Sequence, residues 1–138
     1  MKRLVSCSLV IVLALGVVAA LSVEGQATKE AKPYKMVADL YVVMEYADDV
    51  FYKIPDKVKG GKITRVRSDA MFIAEMMNIS HYSDDYAKEN GWSDALDAII
   101  EDLVALSKVA KSKDKDGVTK QHKAVEAKCD SCHEKFRD

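Results

Sequence analysis

The sequence predicts an all-α chain, packed as an up-down-up-down four-helix bundle, on three observations. Only two prolines and six glycines interrupt its 138 residues, so few positions disfavour a helix. Apolar residues recur at alternating steps of three and four over most of the chain, the period of one helix face. The stretches between these runs are short and polar or glycine-rich, as antiparallel neighbours in a bundle require. No strand pattern and no internal repeat accompany them, and the length suits one domain.

The N-terminal part has a different character. Lys2 and Arg3 precede the apolar run LVSCSLVIVLALGVVAAL, and the looser stretch SVEGQATKEAK follows. This is the layout of a secretory signal peptide. Residues 1–27 are assigned to it and 28–138 to the domain, with cleavage after Ala27 preferred to Ser22. The apolar run approaches spanning length, so an uncleaved N-terminal membrane anchor is the alternative. Either way the domain is exported, and a periplasmic location is expected. Cys7 would leave with the signal, so the mature chain keeps two of the three cysteines, Cys129 and Cys132.

The first helical segment opens at Pro33, a residue favoured in the first turn. Val37, Leu40, Met44, Ala47, Phe51 and Ile54 then form one seam, and Pro55 ends or kinks the helix. Gly60 and Gly61 make a turn. Ile63, Val66, Ala70, Ile73 and Met77 are the stripe of the second segment, whose pattern continues past Tyr82. Gly91 is its expected end. Ser93 is the expected cap of the third segment, lined by Leu96, Ile99, Leu103, Leu106 and Ala110. KSKDKDG is a solvated link. In the last segment Val118, His122, Val125, Cys129, Cys132 and Phe136 again alternate by four and three. Both cysteines therefore fall on a buried seam, with His133 at its border. His122 reads as a satisfied interior histidine, His81 as an exposed one, and Trp92 as packing the bundle end.

Charge narrows the function classes. The formal net charge is -1, without the basic excess of a nucleic-acid binder. A disulfide between Cys129 and Cys132 would close a loop too short to constrain the unfolded chain much. The pair is better suited to redox chemistry, a metal or a cofactor. With His133 it forms CDSCH, the C-x-x-C-H signal for c-type haem attachment. Each thiol adds across one vinyl group to form a thioether. One helical turn presents both sulfurs to the same porphyrin edge, and the adjacent histidine donates a nitrogen to iron. Two other readings compete. A thioredoxin-like pair would sit at a helix N-terminus after a strand, where the dipole lowers a thiol pKa. A zinc site would combine Cys129, Cys132 and His133 with His122 or His81, but Cys132 and His133 diverge on a helix.

An exported four-helix chain ending in CDSCHEKFRD resembles the class II cytochromes c, the family of cytochrome c′ and its low-spin relatives. The match extends past the histidine, because an aromatic and a basic residue follow it at three and four positions, here Phe136 and Arg137. The resemblance implies one haem c, bound through Cys129 and Cys132 and ligated by His133. It implies that Arg137 screens a haem propionate or shields the His133 side. It also implies that the other haem-facing residue lies on the first helix, which lacks the family's arginine-led motif. Met44 is the preferred sixth ligand, on the seam and at a depth like that of the family's ligand position. Met36 and an iron with no second protein ligand are the alternatives. Met71, Met76 and Met77 are expected to line the haem pocket from the second helix.

A filled sixth position suits a non-enzymatic electron carrier serving redox partner proteins. An empty one suits a cytochrome c′-like protein that binds a diatomic gas, nitric oxide or carbon monoxide. A bundle that serves mainly as an assembly module, with haem as its core, is a third reading. Tyr34, Tyr41, Val43, Tyr46 and Tyr52 give the first helix apolar surface beyond its seam. Relatives dimerise through their first two helices, so a homodimer is compatible with the sequence, as is a monomer.

Overall fold

The computed structural model describes residues 34–137; the expected signal segment lies outside the described residues. Helix α1 spans Leu40–Phe51, α2 Ile54–Lys59, α3 Ile63–Ser80, α4 Trp92–Lys111 and α5 Lys115–Phe136. Four longer helices form the bundle, and α2 is a short turn inserted where the first predicted segment breaks. Among the described residues no strand occurs, and no helix is long and apolar enough to cross a membrane. Helix α1 packs on α3, α3 on α4 and α4 on α5, while α2 touches both α3 and α5.

The first helix begins later than its seam suggests. Asp39 caps it, its carboxylate accepting the Tyr41 N–H at 3.0 Å, the arrangement that satisfies a free donor at a helix start. Val37 is therefore outside the helix and 97% exposed. The helix ends at Phe51 because residue 55 is a proline. A continuing helix would have residue 55 donate to the Phe51 carbonyl, and proline has no N–H. The chain turns at Tyr52 and Lys53, and Pro55 falls in the first turn of α2, where a missing donor costs nothing.

The second seam is buried as its period requires, with Val66, Ala70, Ile73 and Met77 inside. Its helix stops at Ser80, short of Tyr82. The Ser80 carbonyl accepts the Trp92 indole N–H at 3.1 Å and the Ser83 N–H at 3.2 Å. Those donors replace the N–H of residue 84 that a continuing helix would supply, so a tertiary contact ends the helix. Residues 81–91 form turns. His81 is held there, partly buried, with Nδ1 3.3 Å from Ser93 Oγ and Nε2 3.2 Å from Asp97. The cap of α4 is Gly91, not Ser93, in a left-handed conformation with φ 83°. That conformation disfavours a residue with a side chain.

Leu96, Leu103, Leu106, Val118 and Val125 are fully buried at the centre of the core. Each such side chain contributes about 1.5–3 kcal/mol by leaving water. Asp114 caps α5 by accepting the Gly117 N–H at 2.9 Å. That starts the 22-residue helix three residues before Val118 and fixes which face it turns inward.

Candidate haem site

Helix α5 carries Cys129, Cys132 and His133 in its last two turns. Residues three apart on a helix are neighbours, with Cβ atoms about 5–6 Å apart, so the two sulfurs share one face. Cys132 is buried and Cys129 half-buried, and both are free thiols. Both sulfurs border a small apolar cavity, with Met44, Ala47, Asp48 and Phe51 of α1 opposite and Ile73, Met77, Leu96 and Ile99 behind. His133 borders the same cavity.

A larger groove of about 570 Å³ adjoins it, between the N-terminal half of α1 and the C-terminal end of α5. That size lies within the roughly 300–1,000 Å³ of a small-molecule site. Met44, Asp48, Cys132 and His133 line both spaces. Tyr86, Trp92 and Phe136 wall the groove. Trp92 stacks on Tyr86 at 5.1 Å and meets Phe136 edge-on at 5.3 Å. Lys135 reaches back from α5 to the Asn90 carbonyl at 2.9 Å, tying the 81–91 turns to the end of the haem-motif helix. The groove edge is acidic, with Asp39, Glu45, Asp48 and Asp85, and Arg137 is its one lining Lys or Arg. Arg137 is thus placed to meet an anionic group entering the groove.

The thiols are held in their neutral form. Burial pushes the Cys129 thiol up to about 12, and Asp48 adds to the rise. Burial also raises Cys132, partly opposed by Lys135. Thiolates are what disulfide exchange and zinc binding require, and the C-terminal half of a helix offers them no favourable dipole. Among the described residues no group of His, Cys, Asp and Glu is arranged to hold a metal ion. These observations weigh against the redox-pair and zinc readings. Two thiols and an imidazole beside a small apolar cavity and its adjoining groove are the donor set that a covalently attached haem would use.

A family model described as Cytochrome C' matches residues 70–137. Over these residues the chain matches the class II cytochrome c family. It is a haem-binding cytochrome with a helical-bundle fold. No curated protein and no solved structure matches the chain. The matched span runs from within α3 to Arg137, so the wall that α1 contributes to the cytochrome's groove is known from geometry alone.

The other sequence candidates divide. Met77 lines the cavity, whereas Met71 is 40% exposed and Met76 packs at the core's edge. Met36 precedes α1 and lines neither space. His122 is an interior histidine, its Nε2 3.3 Å from the Phe51 carbonyl. Tyr86 and Trp92 were not legible as groove residues, because non-helical turns bring them there.

Proposed function

We propose that this cytochrome is an exported one-electron carrier. Its single haem is attached through Cys129 and Cys132 and ligated by His133 and Met44. The observation that carries the reading is the pairing across the groove: Met44 of α1 and His133 of α5 line the same two spaces. When bound, the haem supplies a one-electron iron couple. The protein's own part is to hold, ligate and shield it.

Cys129 and Cys132 would tether the group to α5. His133 offers an imidazole nitrogen from the same helix, and Met44 a thioether from the other. His/Met ligation raises the reduction potential. Ile73, Met77, Leu96 and Ile99 keep water from the cavity, and a dry surround disfavours the more highly charged oxidised state. Arg137 at the groove edge supplies a positive charge for the carboxylates that such a cofactor carries.

The test is stopped-flow oxidation of the reduced protein by ferricyanide, with and without carbon monoxide. With Met44 as sixth ligand, electrons leave by the outer sphere and the two rates are equal. A rate suppressed by carbon monoxide would contradict the carrier reading and favour a gas-binding protein.

A further inference from the structure

Pro55 leaves the Phe51 carbonyl without its helical donor, and α5 provides a replacement. His122 is 7% exposed, and its Nε2 lies 3.3 Å from that carbonyl. A carbonyl only accepts, so this contact puts the proton on Nε2. The imidazole also stacks on the Phe51 ring, with centroids 4.1 Å apart and planes 11° from parallel. One side chain of α5 therefore holds the last residue of α1 by both its ring and its backbone. Elsewhere α1 packs mainly on α3, and the cavity and groove lie between it and α5.

The sequence offsets give this contact a consequence. Met44 lies seven residues before Phe51, and Cys129 lies seven residues after His122. The N-terminal half of α1 shares the groove with the C-terminal end of α5, so the two helices run antiparallel. At a rise of 1.5 Å per residue, each offset is about 10.5 Å. Pinning Phe51 to His122 thus sets Met44 level with the segment Cys129–His133. A slip of one turn would move Met44 by about 5.4 Å along the groove and bring Leu40 or Asp48 to its level.

We propose that His122 is a positioning residue that fixes the register of α1 on α5 through Phe51, so that Met44 faces His133. This rests on the assignment of Met44 as sixth ligand, and the test separates the two. The readout is the weak far-red absorption of a thioether–iron bond in the oxidised protein, per haem, with helical content measured alongside. H122F keeps an aromatic ring for stacking but removes the donor. H122N keeps a donor that is too short to reach. H122Q keeps a donor with longer reach.

Wild type shows the far-red band. H122F and H122N retain covalent haem and helical content but lose at least half of the band and gain carbon monoxide binding. H122Q recovers part of it. A full-strength band in folded H122F or H122N overturns the positioning role. So does failure of both variants to accumulate with haem, which would make the contact a folding requirement instead. Absence of the band in wild type overturns the Met44 assignment, and the positioning role with it. Presence of the band in wild type but equally in the variants removes the positioning role alone.

Discussion

Replacing Met44 by alanine is expected to give a folded, haem-bearing protein whose reduced form binds carbon monoxide. Met44 is half-buried within α1, and alanine favours the helix at least as well. The loss of packing should cost about 1–3 kcal/mol, toward the low end for buried methionine. The effect on the iron is expected to be much larger, because the proposed thioether ligand would be gone and the apolar cavity beside it enlarged. The check is a difference spectrum of the reduced protein on adding carbon monoxide. Wild type should show no change, M44A a full shift, and M36A should behave as wild type because Met36 lies outside α1. A wild-type response from M44A would remove Met44 as ligand.

The second large effect is expected from the cysteines. In C129S/C132S no thioether can form, so haem should be extracted completely by acidified organic solvent, whereas wild type retains all of it. Each single variant should keep its haem through the remaining sulfur. Either serine would place a hydroxyl against the apolar lining of the cavity. A buried hydroxyl without a partner costs about 1–3 kcal/mol. Haem-extraction assays followed by urea unfolding measure both effects. Wild type that loses its haem to extraction would contradict covalent attachment.

The long seams were legible because burial and helical period coincide. Leu96, Ile99, Leu103, Leu106 and Ala110 all turn inward on α4, and Val118, His122, Val125 and Cys132 do so on α5. The C-x-x-C-H motif was legible too, because it needs only one helical turn. Four features were not. Helix α1 starts at Leu40 behind the Asp39 side-chain cap, a local competition that apolar spacing does not record. The end of α3 depends on Trp92 reaching the Ser80 carbonyl 12 residues away. The contact of His122 with Phe51 spans 71 residues. Pro55 signalled a helix break, but not which side chain would satisfy the carbonyl left behind. Tyr86 and Trp92 entered the groove wall only through the irregular turns between α3 and α4. Local pattern thus marked the helix faces and the break at Pro55, whereas the end of α3 involves a long-range hydrogen bond.

The proposed function requires a haem fixed to α5 and ligated from both α5 and α1. The most direct test of that arrangement is the visible absorption spectrum of the purified protein, oxidised and then reduced. Ligation by His133 and Met44 would give sharp bands on reduction and a weak far-red band when oxidised. A broad high-spin spectrum in both states would contradict ligation by Met44, and a colourless protein from a haem-attaching host would contradict the haem site itself.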